Sequence, residues 1–287
     1  MKKKPKIIII IGPTAVGKTK YAIKLAETKN GEIISADSMQ VYKKMDIGTA
    51  KPTKKEQQGI KHYLLSIKNP DQSWTVADFI FECRKKIKAI LKKGKLPIIV
   101  GGTGLYINAL LQGFSFPIIE ADLKYRKKLY KRAEKQGSPK LHEELQKIDP
   151  YAAKKIHPHD LKRIIRALEV FHKTGQMISQ VQTKNPLSNE YDIQIKFLDM
   201  PREKLYARIN HRVGNMIKKG LIKEVKKLKA KGYDKNLPSM QGLGYKEIFD
   251  YLDNKTTKEA AIDLIKQKTR NFARRQLVWF RRILREQ

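Results

Sequence analysis

The sequence predicts an α/β fold, a parallel sheet flanked by helices, with an all-helical lobe inserted into it. Three observations carry that prediction. Five consecutive β-branched residues, Ile7 to Ile11, run into a glycine-bounded turn followed by a helical pattern. Apolar strand patterns alternate with amphipathic stretches as far as residue 115. Between 116 and 185 strand signals vanish, and one returns at 192–198. The expected division is therefore a core of 1–115 with 186–287, and a lobe of 116–185.

The first turn reads Gly12-Pro13-Thr14-Ala15-Val16-Gly17-Lys18-Thr19. Gly12 and Gly17 let the backbone curl until successive N–H groups face one anion. The helix start adds its positive dipole end, Lys18 a point charge, and Thr19 a hydroxyl for magnesium. A strand before and a helix after place this motif in its working context. The residues predict a site for phosphate or diphosphate on a core like that of the P-loop nucleotide kinases.

Residues 32–36 form the second strand pattern, ending at Asp37-Ser38-Met39-Gln40. Ligands of open α/β sheets lie beyond the carboxyl ends of the strands, so Asp37 is expected to face Lys18 and Thr19. A carboxylate there can hold magnesium, act as a general base, or cap a turn. Residues 46–52 form a loop that could cover the site, and 62–67 read as another strand. From 74 to 93 apolar residues follow the helical period, with Gly94 as the stop. The strand at 96–100 runs into Gly101-Gly102-Thr103-Gly104, where Thr103 presents a hydroxyl at the ligand edge. No apolar strand of this half ends in the aspartate that holds magnesium in motor and GTPase P-loop proteins, so water-driven hydrolysis is not expected.

Helical patterns occupy 122–136, 140–148 and 160–174. In the last, Leu161, Ile164, Ile165, Leu168 and Phe171 make the apolar stripe, opposite Lys162, Arg163 and Arg166. Residues 122–182 hold 15 Lys or Arg against 7 Asp or Glu, so the lobe is basic. After the strand at 192–198, Pro201 opens a helix carrying Arg208 and Arg212 one turn apart. Residues 237–246 read as a Gly-rich loop holding an aromatic and a base. A long helix closes the chain from about Thr257. Its Arg270, Arg274, Arg281 and Arg285 fall within an arc of about 60° at 100° per residue.

The whole chain of 287 residues carries 62 Lys or Arg against 28 Asp or Glu, a formal net charge of +34. A polyanionic partner follows, nucleic acid before an acidic membrane surface. Most of the bases are scattered lysines, which by themselves serve solubility equally well. The arginines are less diffuse, since 6 of the 14 fall in the last 18 residues. Arg is suited to phosphates and to stacking on unpaired bases. The single cysteine, Cys83, excludes an internal disulfide and a Cys-rich zinc site. No apolar stretch approaches the ~20 residues that span a bilayer, and a cytoplasmic monomer is expected.

GPTAVGKT at 12–19, SADSMQVYKKMDIGTAKP at 35–52, GGTGLYINALLQG at 101–113, LKRIIRALEV at 161–170, QGLGYKE at 241–247 and FARRQLVWFR at 272–281 resemble the bacterial tRNA dimethylallyltransferases. The resemblance runs through nearly the whole chain. It implies prenylation of N6 of the adenosine 3′ to the anticodon, with 12–19 holding the diphosphate of dimethylallyl diphosphate and magnesium as cofactor. Asp37 is implied as general base, and Thr103 as a contact to diphosphate and substrate base. The segments implied to touch the tRNA anticodon stem-loop are Asp37, Ser38, Met39 and Gln40; Thr103; Arg126; and Lys162, Arg163, Ile164, Ile165 and Arg166. Two more follow, Gln241, Gly242, Leu243, Gly244, Tyr245 and Lys246, and Arg274, Arg275, Gln276, Leu277, Val278, Trp279, Phe280 and Arg281. Val278 stands where the family pattern leads one to expect a hydroxyl residue. A nucleotide kinase, a nucleotide-switched RNA-binding regulator and an enzyme prenylating free AMP are the other readings. The Arg stripe and basic lobe have no use in the first and last of them.

Overall fold

The computed structural model describes residues 3–114, 121–181 and 185–286. Five parallel strands form one sheet in the order β3-β2-β4-β1-β5. They are β1 (Lys6–Ile11), β2 (Gly31–Ser35), β3 (His62–Tyr63), β4 (Leu96–Val100) and β5 (Asp192–Phe197). β1 lies inside the sheet because its isoleucines are buried on both faces, which suits a sheet covered by helices on either side. Ile9 pairs with Ile99 of β4 on one flank and Ile195 of β5 on the other.

The helices of the first half are α1 (Lys18–Thr28), a single turn α2 (Lys54–Gln57), α3 (Val76–Lys92) and α4 (Gly104–Gln112). Thr75 and Asp78 close a reciprocal capping box that fixes where α3 begins. The strand expected over 62–67 stops after two residues. Leu64 and Ser66 adopt positive φ of 62° and 53°, which takes the chain out of the ladder.

Two compact units result, 1–111 with 187–287, and 112–186. The second is helical: α5 (Leu123–Gln136), α6 (Ser138–Ile148), α7 (Pro150–Lys155), α8 (Leu161–Thr174) and the short α9 (Ile178–Val181). Its core joins Leu129, Leu141, Leu145, Ile164, Ile165 and Leu168. α7 is invisible to periodicity because it is under two turns long. Its signal is Asp149 capping the Ala152 N–H at 2.9 Å with Pro150 in the first turn. The expected lobe start at 116 lies outside the described residues.

The first unit resumes after β5 with α10 (Arg202–Lys218), α11 (Leu221–Ala230), α12 (Tyr245–Leu252) and α13 (Lys258–Arg285). Pro201 caps α10 from just outside it, with ψ at 138°, instead of occupying its first turn. The Gly-rich stretch 237–246 is not an open loop. A 3₁₀ turn spans Pro238–Gln241, and Tyr245 already belongs to α12 with its ring fully buried. Tyr245, Met240, Val41, Met45, Leu221 and Val225 share one apolar cluster.

Candidate active site

The phosphate loop leaves β1 and enters α1 through three residues of positive φ, Gly12 at 150°, Ala15 at 66° and Gly17 at 105°. This alternation turns successive N–H groups toward one side. Gly17 caps α1 without any side-chain bond, so the first amides of the helix remain available to an anion. Lys18 Nζ donates to the carbonyls of Gly12 and Pro13, each at 2.8 Å. Burial, joined by the charge of Arg212, pushes its ammonium down to about 7, while Asp37 opposes the shift.

These residues line a cavity of about 980 Å³ at the carboxyl edge of the sheet. Thr14, Ala15, Gly17, Lys18, Thr19, Asp37, Gln40 and Gly102 all contribute to its wall. From α10 come Arg208, His211 and Arg212, and from α13 Phe272 and Gln276. The α10 arginines are visible in the sequence as a pair one turn apart, yet nothing there says they face the phosphate loop. Arg212 Nη1 donates to Thr14 Oγ1 at 3.3 Å. Its burial lowers the guanidinium from its ordinary value, and Asp37 pulls it back up. Asp37 thus acts electrostatically on both Lys18 and Arg212.

Asp37 performs one of its expected roles in plain view. Its Oδ1 accepts from the N–H groups of Met39 at 2.8 Å and Gln40 at 3.2 Å, capping the turn after β2. The second oxygen takes no hydrogen bond from a described residue. Thr103 Oγ1 accepts from the Ser38 N–H at 3.2 Å, tying the β2 and β4 loops together.

A family model described as IPP transferase matches residues 40–283. The chain belongs to the IPP transferase family. Two relatives named tRNA dimethylallyltransferase cover 96% of this chain and 89% of their own length. That of Acetivibrio thermocellus is 51% identical and that of Carboxydothermus hydrogenoformans 53%. The solved full-length tRNA isopentenylpyrophosphate transferase of Bacillus halodurans superimposes with a TM-score of 0.71 at 47% identity, covering 97% of this chain and 87% of that one. A eukaryotic dimethylallyltransferase, solved as snapshots of its action on tRNA, gives 0.79 at 32% identity, covering 96% and 69%. Membership makes this chain a prenyltransferase, which agrees with the resemblance noted in its motifs.

The segments expected to touch RNA divide by exposure. Arg274, Arg275, Val278 and Arg281 are exposed on α13, as are Gln241 and Lys246 at the turn into α12 and Lys162 and Arg163 on α8. Ser38, Met39, Leu243, Leu277 and Trp279 are half-buried. The side chains of Ile164, Ile165, Tyr245 and Phe280 are buried. Gly242 and Gly244 are likewise buried. Arg270, expected on the stripe, is held by Asn210 at 2.8 Å.

Within the lobe, Arg126 grips the buried carboxylate of Glu169 with two bonds of 2.7 and 2.8 Å, and Arg166 adds a third of 2.6 Å. Burial works against the Glu169 charge, yet these bonds win and hold the carboxyl below its usual range. Both arginines are about one-third exposed, so Glu169 fixes their orientation while leaving one edge of each to solvent.

Proposed function

We propose that the chain transfers a dimethylallyl group from dimethylallyl diphosphate to N6 of the adenosine 3′-adjacent to the anticodon, position 37, of tRNA. The observation that carries this reading is that Lys18 and Asp37 line one cavity, with Arg208 and Arg212 on its wall. A diphosphate requires concentrated positive charge, and an amine acceptor requires a base beside it. At about 980 Å³ the cavity has the volume for a prenyl diphosphate together with a nucleobase.

In this reading the loop amides, Lys18, Arg208 and Arg212 hold the diphosphate and spread the charge that develops as it leaves. The bond from the allylic carbon to the diphosphate oxygen breaks, and its electron pair departs with the diphosphate. A bond from N6 to that carbon forms, and the N6 proton passes to the free oxygen of Asp37. Thr103, through Ser38, holds the Asp37 turn in place. Thr19 offers a hydroxyl beside the phosphate chain, where it would hold magnesium, which would neutralise leaving-group charge. Among the described residues no group of three acidic, His or Cys side chains could hold a metal on its own, so the phosphates must supply the remaining oxygens.

The adenine of a stacked anticodon loop is out of reach, so the base must turn out into the cavity. The exposed bases of α13 and α8 are the surfaces assigned to the stem-loop phosphates. No helix among the described residues is long and apolar enough to cross a membrane. A cytoplasmic enzyme working as a monomer completes the reading.

Incubation with unmodified tRNA and labelled dimethylallyl diphosphate tests it. Label is expected on adenosine 37, with release of diphosphate and no need for ATP. ATP hydrolysis that depends on Lys18, without label transfer, would restore the kinase reading.

A further inference from the structure

Gln276 sits on α13 next to the exposed Arg275, yet it is only 4% exposed. Its amide makes two bonds at once. Oε1 accepts from the Thr14 N–H at 2.8 Å, and Nε2 donates to the Gly102 carbonyl at 2.7 Å. Thr14 belongs to the phosphate loop and Gly102 to the turn after β4. One side chain near the chain's end therefore clamps two loops that the sequence separates from it by 262 and 174 residues.

The clamp depends on a missing side chain opposite it. A Cβ on Gly102 would lie 2.3 Å from Nε2, so only glycine admits the amide. Thr14 is held from its other side as well, by Arg212 on its hydroxyl. The chemistry at this point is selective. An N–H needs an acceptor and a carbonyl needs a donor, and a primary amide offers both. Asn has the groups but is one methylene short. Glu would face the Gly102 carbonyl with a second acceptor, and Met has the length but neither group. A buried amide left without its partner costs more than the bond contributes when made.

We infer that Gln276 is a positioning residue for the diphosphate end of the site and not an RNA contact. By fixing Thr14 it sets the outer turn of the loop, so that the N–H groups from Ala15 to Thr19 converge on one anion. α13 then has two duties on two faces, with arginines outside and the loop clamp inside. The inference rests on the reading of 12–19 as the donor diphosphate site.

The test separates the two ligands. Binding of dimethylallyl diphosphate to the RNA-free protein, and of an anticodon stem-loop to the donor-free protein, are measured for wild type and Gln276→Met. Donor affinity is expected to fall about 10–30-fold, the scale of two hydrogen bonds removed, with stem-loop affinity almost unmoved. Gly102→Ala makes the same break without touching the helix, so it decides the matter if Gln276→Met does not fold. The double variant is expected to be no worse than the weaker single one, because both cut one link. Unchanged donor affinity in a folded variant, or a loss that falls on the stem-loop instead, overturns the inference. A wild-type protein that binds no dimethylallyl diphosphate overturns the reading of the loop beneath it.

Discussion

The Tyr245 hydroxyl donates to Glu224 Oε1 at 2.7 Å, while the same carboxylate accepts from the N–H groups of Asp46, Ile47 and Gly48 at 2.9, 2.8 and 3.1 Å. Four donors thus converge on one side chain of α11. The loop it holds forms part of the cavity wall and passes its Thr49 and Ala50 carbonyls to Gln40 Nε2. Gly48 fits only because it lacks a side chain, since a Cβ would lie 2.5 Å from the Tyr245 ring.

Glu224→Ala should therefore loosen the 46–50 wall and the Gln40 side chain behind it. Stability is expected to drop by about 1.5–3 kcal/mol in urea titrations, the worth of hydrogen bonds to a charged group. Tyr245→Phe removes one of the four bonds and should cost less. A loss no larger in Glu224→Ala than in Tyr245→Phe would show that the backbone bonds contribute nothing.

Asp37→Asn should keep RNA and donor binding while turnover falls by about 10²–10⁴-fold, the usual contribution of a general base. The substitution retains an oxygen able to cap Met39 and Gln40, so the turn should survive. Single-turnover transfer at saturating substrates measures it, and near-normal turnover removes Asp37 from the chemistry.

Lys18 gives the donor site a pH dependence. Its ammonium titrates at about 7 in the free protein, and a bound diphosphate favours the charged form, which raises that value. Binding above pH 7 must then take up a proton, so affinity is expected to fall as pH rises through 7 and beyond. Calorimetry in two buffers of different ionisation enthalpy reads the uptake directly. Lys18→Gln should abolish it and bind weakly at every pH; an uptake that persists must come from another group.

Arg126→Ala should act on the lobe's stability before it acts on RNA. It strips a bidentate partner from a carboxylate that is 0% exposed, and breaking a buried pair from one side is costly, about 3–5 kcal/mol at full burial and less here because Arg126 is one-third exposed. Lys162→Ala, exposed and in no ion pair among the described residues, should leave unfolding unchanged and lower stem-loop affinity only. Hydrogen exchange across α5 and α8 distinguishes the two outcomes.

The double change Arg274→Ala/Arg281→Ala tests whether the terminal arginines are a working surface. For every phosphate they neutralise, their removal should flatten the slope of log affinity against log salt by about 0.7–0.9. Lys85→Ala/Lys88→Ala removes equal charge from α3, in the first half of the chain, and should do much less. Lys93 is a poor control because it is engaged with Glu32 and Tyr63. Equal shifts from both pairs would mean that the positive charge acts as a diffuse field.

What can be seen in the sequence follows from how local each signal is. The isoleucine run declares β1, and 96–100 declares β4, because buried parallel strands need continuous apolar residues. The phosphate loop is one contiguous segment and is legible in full. Glu224 is not, since an acid on a lysine-rich helix looks like any solvated face until Asp46 to Gly48 come against it. Arg208 and Arg212 reach the cavity only after β5 has returned the chain to the sheet beside β1, a placement no local pattern encodes. Tyr245 and Gln276 share motifs with exposed neighbours because a motif is read along the chain, whereas burial alternates around a helix.

Cys83 has a practical corollary. It is the chain's single thiol, fully enclosed on the inner side of α3, and burial pushes it well above the ordinary range for cysteine. A thiol that is both enclosed and protonated does not attack maleimides. The native protein is therefore already silent to cysteine-directed dyes. One cysteine introduced at Val278, 67% exposed on α13, would be the sole point of attachment, and a fluorophore there would respond to whatever docks on that helix.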